Sequence, residues 1–222
     1  MMNRTELKAN AKAAFKKSYW KCVGAALLLS VTVASVCGGN THFNIGGHVF
    51  DTHTASVAAG FALAATGISL VAAMLIRFVL APFEVGCKGY FLKNRKEDAK
   101  FGECLSGFKG NFKNTAFIML VRDIKIALWS LLFVVPGIVK AYEYKMVPYL
   151  LSEDPDMKMS EAFRTSKEMM SGHKMDAFVL DLSFLGWDLL GVVTCGLAEV
   201  FYVMPYKVST GAEFYESLKA AA

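Results

Sequence analysis

Between Lys21 and Arg77 the chain carries neither lysine nor arginine. Two apolar runs fill this stretch, from Cys22 to about Cys37 and from Ala55 to about Phe83, separated by a polar loop at Gly38 to Thr54. Uncharged runs near twenty residues are rare in soluble helices and match the thickness of a bilayer core. Tyr19 and Trp20 open the first run as an interfacial aromatic pair, and Lys21 can reach back to the headgroups. Basic residues flank the pair of runs on the same side, so the positive-inside rule predicts a cytoplasmic N-terminus and an external Gly38 to Thr54 loop. A lipoprotein-type cleavage site needs a small residue before its cysteine, and Val36 precedes Cys37. The first run is therefore expected to persist as an uncleaved signal anchor.

Composition agrees with that reading. The 222 residues are 55% hydrophobic and only 19% charged, where ordinary soluble domains are nearer a quarter charged. The net charge of +5 sits beside apolar segments, where it would meet anionic lipid, so a bilayer and not a nucleic acid is the expected partner. Cys22, Cys37, Cys87, Cys104 and Cys195 show no C-x-x-C spacing, and free buried thiols are the expectation. Cys37 and Cys195 both fall at the outer face, where pairing stays open. His42, His48 and His53 lie near Asp51 and Cys37 in the outer loop. They lack a tight metal-binding spacing, so no metal or other cofactor is expected.

Three amphipathic segments read as interfacial or solvated helices. The first is Asn3 to Ser18, with Asn3 and Glu6 as a capping box and Leu7, Ala11, Ala14 and Phe15 on one face. In the second, Phe101, Cys104, Leu105 and Phe108 share a face interrupted by Gly107 and Gly110. In the third, Ser160 to Gly172, Phe163, Ser166, Met169 and Met170 oppose Glu161, Arg164, Lys167 and Glu168, and Gly172 is a C-terminal cap. Gly60, Ala64 and Gly67 in the second apolar run are spaced for close helix approach in lipid. Arg77 is placed near its cytoplasmic end, snorkelling.

Four further spans are predicted: Thr115 to Val135, Ile138 to Leu151, Met175 to Val193 and Leu197 to about Glu216. Tight outer turns at Pro136-Gly137 and Thr194-Cys195-Gly196 join them in pairs. Apolar–proline–aromatic triplets recur at Ala81-Pro82-Phe83, Val147-Pro148-Tyr149 and Met204-Pro205-Tyr206, each placed near the cytoplasmic end of an inward span. The chain thus reads as three copies of one unit (about 3–92, 99–152 and 159–218), an interfacial helix followed by a hairpin. Each proline is expected to kink its helix.

Charges inside these spans are the sharpest chemical feature. Arg122, Lys125, Lys140 and Lys145 stand against Asp123, Glu143, Asp181, Asp188 and Glu199. An unpaired charge at bilayer depth costs roughly 2.5–3.5 kcal/mol, so mutual pairing is expected. Asp181 and Asp188, one heptad apart, should share a helix face, and Glu143 and Asp188 lie within reach of Lys140 or Lys145. These charges fit structural ion pairs, or a polar path between hairpins. No H-E-x-x-H, G-x-S-x-G, Walker or G-x-G-x-x-G motif occurs, which disfavours an enzyme.

Several stretches carry a family resemblance: PGIVKAYEYKMVPYLLSEDP from Pro136, EAFRTSKEMMSGHK from Glu161, DLSFLGWDLL from Asp181, MPYKVSTGAEFY from Met204 and RTELKANAKAAFKKSYWK from Arg4. Together they resemble the bacterial integral membrane family catalogued as domain of unknown function nine-seven-five. More distantly, the Pro-Gly turn followed by PYLLSE and EAFRTSK is similar to membrane domains fused to glycerophosphodiester phosphodiesterases. The resemblance implies a multi-span protein of the bacterial cytoplasmic membrane and supplies no catalytic residue. The expectation is thus an all-α polytopic protein forming one membrane domain over 1–222. It would have about six transmembrane helices in three hairpins, both termini cytoplasmic, and a non-enzymatic role through lipid or protein contacts. A small transporter or channel using the charges of spans three to six is the alternative.

Overall fold

The structure, a computed structural model, describes residues 4–27, 74–95, 99–194 and 198–221. Every regular element among them is helical, in keeping with the all-α reading. The Asn3 cap, most of the first two apolar runs, the loop histidines, Cys37 and the outer turn at Cys195-Gly196 lie outside the described residues.

Helix α1 (Arg4–Lys17) packs along the C-terminal helix α11 (Met204–Ala221). Leu7 and Ala11 are buried there, so this apolar stripe is covered by protein instead of lipid. Helix α2 (19–27) buries Cys22, Val23, Ala25 and Ala26 and leaves Trp20 76% exposed. Helix α3 (74–94) runs unbroken through Pro82. The expected second amphipathic helix is instead a 3-10 turn (Phe101–Leu105) followed by the four-residue α4 (Ser106–Lys109). Its expected common face divides: Cys104 turns inward, whereas Phe101, Leu105 and Phe108 stay exposed. The cause is the crossing with α3, where backbone meets backbone. A Cβ on Gly86 would strike the Cys104 carbonyl, and one on Gly107 would strike the Pro82 carbonyl.

Helix α5 (Phe112–Leu132) is capped by Asn111, whose side chain accepts from the Asn114 N–H at 3.3 Å. It ends at Phe133, which is extended (φ −154°, ψ 137°), and α6 (Val134–Glu143) returns alongside it. The hairpin turn is therefore at Phe133 and not at Pro136-Gly137. Pro136 lies in the first turn of α6, where a missing N–H costs nothing. Gly137 lets α6 press on α5, because a Cβ there would come within 2.6 Å of the Ser130 Cα.

The expected fourth span is broken at Tyr144–Met146, between α6 and α7 (Val147–Glu153). Pro148 is the second residue of α7, and Pro205 is the second residue of α11. Pro148 starts a helix instead of kinking one, for the reason that applies to Pro136, whereas Pro205 directly follows the π-helical turn Glu199–Val203 inside a continuous helical run, where the helix is irregular. Helix α8 (Met159–Met169) buries Phe163, Ser166, Met169 and Met170 as patterned, and Gly172 adopts φ +81° just past its end. The expected fifth span divides at Ser183-Phe184 into α9 (Lys174–Leu182) and α10 (Leu185–Val193). The sixth begins as a π-helical turn (Glu199–Val203) before α11.

No helix among the described residues is long and apolar enough to cross a membrane. Helix α5, with 21 residues, is long enough but carries Lys113, Arg122, Asp123 and Lys125. The expected continuous spans four and five are replaced by pairs of shorter elements, whereas the sixth is helical without a break from residue 198, π-helical over Glu199–Val203. The larger core joins α1, α2, α3, α7, α9 and α11 around Tyr90, Phe184 and Tyr215; a smaller one joins α3, α5, α7 and α8 around Ile118, Met119 and Leu151.

Candidate functional site

Charged side chains from the helix arms meet in separate groups instead of one path. In the first, Glu84 on α3 accepts from Arg77 (2.5 Å) and Lys88 (3.0 Å), with Arg122 3.5 Å away. Asp123 accepts from Arg77 at 2.6 Å and Arg122 at 2.8 Å. Arg77, expected to snorkel, thus bridges the two carboxylates, as Arg122 also does. Burial alone would push the Glu84 carboxyl up, but the facing charges of Lys88, Arg122 and Arg77 hold it well below the usual carboxylate range. Burial pushes the Lys88 ammonium down, with Glu84 opposing that shift. The group holds three cations and two carboxylates, a surplus of positive charge.

In the second group Glu143 accepts from Lys140 and Lys174, each at 2.6 Å. In the third Asp181 accepts from Lys145 at 2.7 Å and from the Tyr142 hydroxyl at 2.9 Å. In the fourth Lys207 meets Asp188 at 3.0 Å. Asp188 therefore pairs with a residue of α11, and not with Lys140 or Lys145 as expected. Lys125 lies over the Phe163 ring at 3.9 Å, a cation–π contact. The Oε2 of Glu199 is buried without a hydrogen-bond partner among the described residues, close to Gly191.

The first, third and fourth groups face one cavity of about 250 Å³. Lys88 from α3, Lys145 from the α6–α7 break and Lys207 from α11 line it with Asp181, three cations against one carboxylate. Leu180, Phe184, Val208 and Phe214 form its apolar wall. Tyr149, the aromatic of the second triplet, is 4% exposed and also lines it. Its ring stacks on Tyr215 at 5.2 Å, and its hydroxyl lies where a Cβ on Gly211 would come within 2.7 Å. That hydroxyl opens onto the cavity and has no hydrogen-bond partner among the described residues.

The other triplet residues take structural places. Phe83 faces Phe108 at 6.3 Å, and the Tyr206 ring meets Phe184 at 5.3 Å. Among the described residues no three His, Cys, Asp or Glu side chains are grouped to hold a metal. Cys22, Cys87 and Cys104 are free and buried, as expected of scattered cysteines.

Sequence reasoning found Lys145, Asp181 and Asp188 but missed Lys88 and Lys207, whose apolar surroundings are assembled from distant segments. One local signal was available: Arg77, Glu84 and Lys88, at i, i+7 and i+11, lie on one helical face.

Residues 133–222 match the model of the family described as "Protein of unknown function (DUF975)". That stretch begins at the Phe133 turn and supplies Lys145, Tyr149, Asp181, Asp188 and Lys207; Lys88 comes from outside it. No curated protein and no solved structure matches the chain. The likeness to domains fused to glycerophosphodiester phosphodiesterases therefore stays a sequence resemblance, and the family description assigns no activity.

Proposed function

We propose that this protein is an integral module of the bacterial cytoplasmic membrane that acts through contacts with lipid and protein and carries out no chemistry of its own. The observation that carries this reading is the tip of the α5–α6 hairpin. Every residue from 127 to 135 is exposed, and within it Leu128, Leu131, Leu132, Phe133, Val134 and Val135 are 64–85% exposed. A contiguous apolar patch of this kind is unfavourable in water and marks a surface that meets lipid or a partner. A second stripe supports it: Met175, Phe178, Leu182, Leu185 and Leu189 recur at helical spacing along α9 and α10, all exposed.

The hairpin tips would enter the hydrocarbon and the ion-pair groups would remain near the headgroups. Broken helices are tolerated at membrane depth where protein or a polar cavity receives the freed backbone groups. In keeping with the sequence reading, both termini would be cytoplasmic and the Gly38 to Thr54 loop external. The pairing of the arm charges favours this module over a conducting path, since most of them are neutralised within their own groups.

Alkaline extraction of bacterial membranes tests the proposal. The wild-type chain should stay in the pellet, and the triple variant Leu131→Asp, Phe133→Asp, Val135→Asp should be largely released. Release of the wild type would contradict integral insertion.

A further inference from the structure

We propose that the cavity between α3, α7, α9 and α11 is a binding site for a phosphate group carried on an acyl chain, that is, for an anionic phospholipid. Two observations point there together. Lys88, Lys145 and Lys207 converge on it from three separate segments, and ammonium groups suit phosphate as point charges. Tyr149 is 4% exposed and lines the cavity, its hydroxyl has no hydrogen-bond partner among the described residues, and it stands where a phosphate oxygen would accept from it. A hydroxyl held on a packed ring and left without a protein partner is available to a group that enters the cavity.

The remaining wall says what the phosphate is attached to. Leu180, Phe184 and Phe214 are apolar, and a free hydrated phosphate would gain nothing from them. A volume of about 250 Å³ is below the roughly 300–1,000 Å³ of sites that enclose drug-sized ligands. It holds a headgroup and the start of a chain, with the rest of the lipid left outside. Basic pockets between membrane helices on the cytoplasmic side bind anionic headgroups in this way.

Charge bookkeeping agrees. Lys145 and Lys207 are matched one to one by Asp181 and Asp188, whereas Lys88 belongs to the group with three cations and two carboxylates. An incoming anion would complete that group. Burial lowers the Lys88 pKa, and a phosphate beside it would hold its proton.

This inference deepens the membrane reading and rests on it. Its test uses the full chain in detergent micelles, so it can fail while membrane extraction succeeds, and the reverse. Binding of dioctanoyl phosphatidic acid, dioctanoyl phosphatidylcholine and inorganic phosphate would be measured by titration calorimetry. Phosphatidic acid should bind at least ten-fold more tightly than either of the others. Tyr149→Phe removes the hydroxyl while leaving every protein hydrogen bond described here intact, so it should fold normally and bind several-fold more weakly. Lys207→Gln, at the more open end of the cavity, should weaken binding about ten-fold, with an unchanged melting temperature as the control for folding. Equal binding of inorganic phosphate would overturn the lipid source. No binding, or wild-type affinity in folded Tyr149→Phe and Lys207→Gln, would overturn the site.

Discussion

Glu84 is 7% exposed and sits among Arg77, Lys88 and Arg122. Removing one partner of a buried, hydrogen-bonded charge group typically costs about 3–5 kcal/mol, because the others stay buried without it. Glu84→Gln is therefore expected to lower stability by about that amount at neutral pH, read from denaturant unfolding in detergent. The acid limb follows from the sign of the shift. The folded carboxyl is held below its ordinary value of 4.5, so its contribution is full above that pH and is lost as pH falls through the folded value. The variant should lose stability less steeply than wild type below pH 4.5; parallel acid profiles would contradict the assignment. At this scale the sequence predicts that the charges of the expected spans pair, and most do, Glu199 and Lys125 being the exceptions among the described residues. It did not show which pair, because Asp188 and Lys207, or Asp123 and Arg77, are joined by the fold and not by local spacing.

Among the elements, the crossing of α3 with the 3-10 turn and α4 is the tightest contact between segments. Backbone closes on backbone at Gly86 and Gly107, so a methyl there has no flexible neighbour to displace. Gly107→Ala should destabilise by about 1–3 kcal/mol, the usual cost of overpacking, with the melting temperature as the measurement. An unchanged melting temperature would mean that the crossing is looser than described. Helix patterns were legible wherever an apolar stripe faced a core, as in α8 with Phe163, Ser166 and Met169. Breaks were not. Phe133, Tyr144 to Met146 and Ser183-Phe184 carry no proline or glycine, so hydropathy runs straight across them. Conversely, Pro136-Gly137 has turn composition but occupies a helix start and a close approach, Pro148 opens a helix, and Pro205 follows a π-helical turn within one. Pro82 lies inside α3, so a proline alone does not distinguish a helix boundary from a helix interior.

For the whole molecule, the described residues form an all-helical body with two apolar cores, partly buried ion-pair groups and an exposed apolar tip on the α5–α6 hairpin. The exposed apolar tip is the feature that the proposed bilayer reading accounts for. The all-α class was legible because apolar blocks alternate with amphipathic ones. The division into continuous spans was not, because length and hydropathy do not report where a helix is interrupted. Trp129 offers the most direct measurement. It sits on the α5–α6 tip, 41% exposed. With Trp20→Phe and Trp187→Phe it becomes the one tryptophan left, the sequence holding 3. Reconstituted into vesicles whose acyl chains are brominated, this variant should lose most of its fluorescence, while aqueous acrylamide should quench it little. Strong quenching by acrylamide with none by the brominated chains would place the tip in water and contradict the membrane reading.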